Sequence, residues 1–214
     1  MLRSGDKILI GLMWCPTKMR EKLDASLEII RQERRINVPQ IRMVHEDRGY
    51  LLKPTFIETN EFTWAFQEIV NTYGIPNYKE VNPALFAIVT FPFLFGIMFG
   101  DVYHGSMLFV FSAILCFSDR KPGTIFGALG PARYLLLLMG FFSFFAGLIY
   151  NDFTSIPLKI FSDTCYNWTH EGHVDLKPDC VYPVGVDPIW YMSKNELTYV
   201  NSLKMKLSVI FGVL

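Results

Sequence analysis

Long apolar runs broken by short polar punctuation dominate the chain from Glu80 to Asp152. No Asp, Glu, Lys or Arg falls between Glu80 and Asp101, between Asp101 and Asp119, or between Arg133 and Asp152, whereas Met1–Glu80 is dense in both signs. A helix needs about 20 apolar residues to cross a hydrocarbon core. Val81–Gly100 and Tyr134–Asn151 approach that length, and Val102–Ser118 lies at the short end of the range. The pattern predicts three transmembrane helices, at about 81–100, 102–118 and 133–151, within a segment 81–152. Buried core helices of a soluble protein would need a larger polar shell than this chain supplies. A further apolar run opens after Lys206 in "NSLKMKLSVIFGVL" and stops too soon to span, so 203–214 reads as the start of a truncated fourth transmembrane helix.

The polar front end has a different rhythm. "KILIGLMW" predicts a buried strand over Lys7–Trp14. After Pro16, the apolar positions Met19, Leu23, Leu27 and Ile30 recur at helical spacing; Arg31, Arg34 and Arg35 suit a helix C-terminus, and Asn37 with Pro39 stops the helix. A second strand around Ile41–His45 would complete a strand-helix-strand unit, too small to bury much alone and so expected at the edge of a larger α/β layer. Thr59 or Asn60 is placed to cap a helix carrying Phe62, Phe66, Ile69 and Tyr73 on one stripe, ended by Gly74 and Pro76. That stripe suits packing against protein, with lipid headgroups or a partner as the alternative. The fold class expected is therefore mainly α: a polytopic membrane protein with transmembrane helices, preceded by a small α/β segment over 1–80.

Charge adds orientation. The formal net charge is zero and the apolar share is 51%, so the balance points to lipid and away from nucleic acid. Between the second and third runs, Arg120, Lys121 and Arg133 face one acid, Asp119, which marks that side as cytoplasmic. "ILIGLMW" is too short, and lacks the cleavage pattern, to serve as a signal peptide. Residues 1–80 are then expected in the cytosol and 153–202 as a lumenal or extracellular loop. Two features agree with that side. "NWT" makes Asn167 a glycosylation candidate, and Cys165 and Cys180 share the loop, where an oxidising lumen would let them pair. Cys15 and Cys116 fall in other contexts, Cys116 on an apolar helix.

Two ionisable residues interrupt the apolar stretch, Asp101 and His104. Such groups among membrane segments are expensive and often functional, so one reading makes them part of a proton path. The other puts them at a tight turn between two short antiparallel helices, with Gly100 and Gly105 permitting the bend and water reaching both. Spacing favours the turn, since each flanking run is already one pass long. Asp152 reads likewise as an interfacial cap, and Pro83 and Pro92 suggest a kinked or stepped first helix. Cys165, His170, His173 and Cys180 lack the spacing of a familiar zinc finger, and a disulfide accounts for the cysteines more simply. No phosphate loop, nucleophile elbow, catalytic carboxylate pair or dinucleotide fingerprint is present, so no metal, cofactor or self-contained active site is expected.

Several stretches together resemble one family. "WCP" at Trp14, "TNEFTWAFQEIVNTYGIPNYKEVNP" from Thr59, "FPFLFGIMFGDVYHG" from Phe91, "RYLLLLMGFFSFFAGLIYND" from Arg133, "GVDPIW" from Gly185 and "NSLKMKLSVIFG" from Asn201 follow in the order found in subunit a of the vacuolar-type proton ATPase. Val102 and Tyr103, and the approach to Trp14, depart locally from the family pattern. The resemblance implies a stator subunit in the membrane sector of a rotary pump, beside a ring of proteolipid subunits. It also implies contacts with the peripheral stalk through the cytosolic domain, and residence in vacuolar or endosomal membranes or the plasma membrane. In such a pump a fixed arginine lowers the pKa of the passing ring carboxylate and drives proton release. The family places that arginine on a late helix beyond Leu214, and Arg133 is not it. Residues 1–80 would be the end of the cytosolic domain, and the chain is expected to be a fragment that is non-catalytic on its own. A short membrane adaptor or assembly competitor derived from subunit a is the alternative. An independent carrier would need an internal repeat, and none is found.

Overall fold

The computed structural model describes residues 2–5, 8–11, 13–34, 53–118, 125–168 and 174–214. Two compact units emerge, one from residues 1–58 and 75–81, the other from 59–74 and 82–214. The expected boundary at residue 80 is thus crossed by 59–74, which belongs with the apolar helices.

In the first unit, β1 (Leu2–Gly5) and β2 (Ile8–Gly11) form an antiparallel hairpin, with Leu2 opposite Gly11 and Gly5 opposite Ile8. The strand expected over Lys7–Trp14 is therefore shorter and pairs with the residues just before it, which its apolar run did not mark. A 3-10 turn, Thr17–Met19, follows Pro16 and leads into α1 (Arg20–Arg34). Ion pairs Arg20–Asp24 and Arg31–Glu28, each at 3.9 Å, run along α1 at helical spacing. Thr55 Oγ1 donates to the Pro76 carbonyl at 2.6 Å, joining the two segments of this unit. The expected strand Ile41–His45 and the stop at Asn37 and Pro39 lie outside the described residues.

The second unit is mainly helical. Its helices are α2 (Trp64–Tyr73), α3 (Ala84–Met98), α4 (Val102–Phe117), α5 (Ile125–Leu129), α6 (Arg133–Tyr150) and α7 (Glu196–Val213). Asn60 opens the turn before α2, its Oδ1 accepting from the Phe62 and Thr63 N–H groups at 3.1 and 2.8 Å. Phe66 is fully buried and Phe62 packs on Tyr134 with ring centroids 5.5 Å apart, so the start of the aromatic stripe meets protein, while Tyr73 at its far end is exposed.

Helix α3 starts later than its apolar run because Pro83 occupies the N-cap and Asn82 Oδ1 accepts from the Ala84 N–H at 3.1 Å. Pro83 thus opens the helix without kinking it, and α3 continues through the buried Pro92. At 15 and 16 residues, α3 and α4 are shorter than a full span. Among the described residues, one helix is long and apolar enough to cross a membrane, the 24-residue stretch Gly127–Tyr150 that runs through α5 and a 3-10 turn into α6. Helix α7 begins at Glu196, inside the segment expected to be loop, because its first turns are polar and carry no apolar signal.

Antiparallel α4 and α6 and parallel α3 and α6 meet through small residues. A Cβ on Gly96 would lie 2.6 Å from the Phe142 carbonyl carbon, and one on Gly140 would lie 2.6 Å from the Phe109 nitrogen. Ser112 and Ser143 are buried, while Phe86 and Phe117 are 67% and 91% exposed. Gly100 and Gly105 fall into the same pattern. Gly105 sits within α4 against the Phe144 and Ser143 backbone, and Gly100 lies under the Tyr150 ring. Their role is close approach, which corrects the expectation that they permit the bend.

After α6, three short pieces organise the loop expected over 153–202. These are the hairpin β3 (Asp152–Phe153) with β4 (Ile156–Pro157), the pair β5 (Tyr166–Trp168) with β6 (Val174–Leu176), and a 3-10 turn, Pro188–Met192.

Candidate functional site

Polar chemistry gathers where α3 turns into α4. At a helix C-terminus such as that of α3 the last four carbonyls lack intrahelical partners. Two are met by side chains of α6: Tyr150 donates its hydroxyl to the Ile97 carbonyl at 3.0 Å, and Ser143 donates to the Phe99 carbonyl at 2.6 Å. Asp101 follows in extended conformation and caps α4, its Oδ1 accepting from the Tyr103 N–H at 2.9 Å. The same oxygen accepts from the Thr154 N–H at 3.1 Å, and Oδ2 pairs with His104 Nδ1. Helix α6 can come this close because residue 147 is glycine; a Cβ there would sit 2.8 Å from the Asp101 Cα.

Electrostatics follow from that geometry. Burial opposes ionisation of Asp101, but hydrogen bonds from His104, Thr154 and Tyr103 outweigh it and hold the carboxyl below its usual 3.8. Asp152, just past α6, is pushed upward by burial. The Ser155 N–H, which donates to it at 2.8 Å, only partly offsets that. Lys204 of α7 reaches the same place, its Nζ 5.1 Å from the centre of the Tyr150 ring, and its positive charge partly offsets the upward push on Asp152. The structure therefore places Asp101 and His104 at a helix turn, and brings Asp152 and Lys204 beside them. Lys204 was missed in the sequence because it read only as a basic flank of the last apolar run; nothing in its spacing links it to residues about a hundred positions earlier.

A second polar set fixes the loop. Asn151 ends α6 in the left-handed conformation at φ 55°, and its Nδ2 donates to the Tyr182 hydroxyl and the Val186 carbonyl at 3.0 and 2.9 Å. Gly185, at φ 79°, lets the chain cross the α6 terminus so that the Val186 N–H reaches the Ile149 carbonyl at 3.0 Å. Cys165 and Cys180 are joined by a disulfide, with Cα atoms 5.5 Å apart, and the Cys165 N–H donates to Asp187 Oδ2 at 3.0 Å. Asn167 lies exposed on β5, opposite Asp175. His170 and His173 lie outside the described residues, and among the described residues no group of three or more His, Cys, Asp or Glu is placed to hold a metal.

At the opposite end of α6, Arg133 is buried. Its Nη2 donates to Glu61 Oε2 and to the Tyr134 hydroxyl, each at 2.9 Å, and its guanidinium lies 4.6 Å from the centre of the Tyr134 ring. It ties the turn before α2 to the start of α6. Nothing in either cluster presents an activated nucleophile; the chemistry available at the α3–α4 corner is proton exchange with water and charge-assisted hydrogen bonding.

Comparison with known proteins agrees with the sequence motifs. The V-type ATPase 116kDa subunit family matches residues 1–214. The Dictyostelium discoideum vacuolar proton translocating ATPase 100 kDa subunit is 44% identical over 215 residues, covering 98% of this chain and 26% of that protein. The human V-type proton ATPase 116 kDa subunit a 2 is 37% identical over 243 residues, with 98% and 28% covered, and the Arabidopsis thaliana V-type proton ATPase subunit a1 is 38% identical over 219, with 97% and 26% covered. The chain thus spans about a quarter of the length of the curated relatives it matches. It belongs to the V-type ATPase 116kDa subunit family.

Proposed function

We propose that this chain forms part of the membrane-embedded stator of an ATP-driven proton pump and contributes scaffold to proton translocation and compartment acidification. The observation that carries the reading is the family match over residues 1–214. Its partners would be the proteolipid ring, other membrane-sector subunits and the peripheral stalk. No residue described here is assigned a catalytic role.

Three helices, α3, α4 and α6, are proposed to lie in the bilayer. Small residues at their contacts and large aromatic residues facing outward support this, because lipid rewards close backbone packing and accepts exposed Phe. The short α3 and α4 suit an arrangement in which polar corners sit at the interface and the bilayer adapts by thinning or by snorkelling. Residues 1–80 are proposed to be cytosolic and 153–202 lumenal, in an endomembrane or the plasma membrane. The basic residues between α4 and α6, the disulfide and the sequon at Asn167 all favour that orientation.

The test is native purification of the tagged chain from solubilised membranes. Recovery with proteolipid and with an ATPase whose hydrolysis acidifies the reconstituted vesicles supports the proposal. Recovery free of both, at every expression level, refutes it. Orientation is read separately: Asn167→Gln should abolish a glycosidase-sensitive mass shift, and a wild-type chain with no such shift removes that support for a lumenal loop.

A further inference from the structure

The α3–α4 corner carries more charge chemistry than a helix cap requires. A cap needs one side-chain oxygen and one N–H of the first turn. Asp101 supplies that to Tyr103 at 2.9 Å, and then joins two further elements with the same carboxylate. Oδ1 also holds the Thr154 N–H at 3.1 Å, in the turn between β3 and β4, and Oδ2 holds His104. That turn is costly. Thr154 and Ser155 sit at φ of 55° and 63°, a region that a β-branched residue enters only when its surroundings hold it there. One carboxylate therefore links the first turn of α4 to a strained turn beyond α6, and the group that orients this carboxylate is an imidazole. The His104 side chain is 57% exposed to water, whereas the Asp101 side chain is only 15% exposed.

We propose that Asp101 and His104 form a pH-responsive clasp, in which protonation of His104 tightens the hold of the α4 N-terminus on the β3–β4 turn at Thr154. A neutral imidazole already donates a charge-assisted hydrogen bond to the ionised carboxylate; an imidazolium adds a full opposite charge and turns the contact into an ion pair. The carboxylate is then fixed with Oδ1 aimed at both N–H groups. When His104 is neutral the carboxylate swings more freely and water competes for both amides. Histidine is the side chain most readily switched between neutral and charged forms near neutrality, so the clasp closes as the facing compartment acidifies. That this compartment is the acidified one rests on the proposed orientation; the clasp chemistry does not.

The neighbouring charges do not oppose this sense. Asp101 stays ionised because its hydrogen bonds hold its carboxyl low. Asp152, beside it at the end of α6, is pushed up by burial. It is therefore the first of the two carboxylates to lose charge as pH falls, which relieves its repulsion of Asp101. Lys204 of α7 offsets part of the Asp152 charge. Tyr103, whose ring lies edge-on to His104 with centroids 5.5 Å apart, Tyr150 of α6, and Tyr191 and Glu196 around the start of α7 are further titratable groups in this field; burial pushes the Tyr191 phenol well up, and it stays neutral.

The experiment is amide hydrogen exchange, corrected for intrinsic pH dependence, on the full chain in lipid nanodiscs from pH 8 to 5. Protection of the Tyr103 and Thr154 amides should rise by roughly two- to fivefold as pH falls, the range expected when a partly exposed ion pair is added to an existing hydrogen bond. His104→Gln, which keeps a donor but not the charge, should flatten that rise. Asp152→Asn should leave it in place. Flat protection in the wild-type chain, an unaltered rise in His104→Gln, or loss of the rise in Asp152→Asn each overturns the proposal. In the wild-type chain the His104 ring resonances should titrate in step with the two amides; a ring titration displaced from theirs overturns it with no variant at all. The measurement uses the isolated chain, so its outcome is separate from whether the chain is recovered with a pump.

Discussion

Replacing Gly105 by Ala adds one methyl group at the tightest point between α4 and α6. The new Cβ would lie 2.7 Å from the Phe144 Cα and 2.8 Å from the Ser143 carbonyl carbon, with the Phe144 nitrogen closer still. All three are backbone atoms of α6, so no side-chain rotation relieves the clash. Restoring ordinary contact requires the helices to part by roughly 1 Å, and overpacking of that kind costs about 1–3 kcal/mol, toward the upper end where the opposing atoms are fixed. The same interface holds Gly140 on Phe109 and Gly147 on Asp101, and a gap of 0.5–1 Å already forfeits about a quarter to a half of each van der Waals contact. Against this, Ala gains about 1 kcal/mol over Gly in helix propensity. The net expectation is a loss of about 2 kcal/mol, some thirtyfold in the folding constant. Gly212 of α7 supplies the control, since a Cβ there meets nothing within 4 Å. Gly212→Ala should be neutral or stabilising by up to about 1 kcal/mol. The assay is reversible unfolding in mixed micelles or bicelles, followed by far-UV circular dichroism. If Gly105→Ala unfolds within about 0.5 kcal/mol of the wild type, or if Gly212→Ala is equally destabilising, the close-packing argument is wrong.

Other consequences are open to the same assays. Arg133→Gln should cost about 3 kcal/mol, because it removes a buried cation that pairs with Glu61 and covers the Tyr134 ring. Glu61→Gln leaves the buried Arg133 cation without its counter-charge and should cost a comparable amount, about 3 kcal/mol; a Glu61→Gln chain as stable as the wild type would contradict this account of the site. Asp152→Asn should raise stability at pH 7: the folded pKa of Asp152 lies above its unfolded value, so its charge is a penalty present above the folded pKa and absent below 3.8. The gap between variant and wild type should therefore close as pH falls, and a gap that widens on acidification would reverse the sign of the argument. Substituting Ser for both Cys165 and Cys180 opens a loop with a sequence separation of 15, worth about 3 kcal/mol in the chain-entropy account. The loss should appear as exchange across the loop with α3, α4 and α6 still protected, and melting of those helices at the same point would show the loop to be integral to them.

Periodicity, charge and turn residues made the helices legible, because each is a local property. The stripe Met19, Leu23, Leu27 and Ile30 gave α1, and the uncharged runs gave α3, α4 and α6, since a helix satisfies its own backbone wherever the chain is apolar enough. Their ends were less legible. Whether Pro83 kinks a helix or begins one depends on Asn82 reaching back to cap it, and whether a polar stretch such as 196–202 joins a helix depends on what packs beside it. The function of the glycines was invisible to the sequence for the same reason. Gly105 looks like a bend when read beside Asp101, and becomes a contact surface only when the backbone of Ser143 and Phe144 lies against it. Likewise the sequence could offer Asp101 and His104 as a pair three residues apart. That Thr154, Asp152 and Lys204 share their field follows from the antiparallel return of α6 and the docking of α7, long-range contacts with no signature in local spacing.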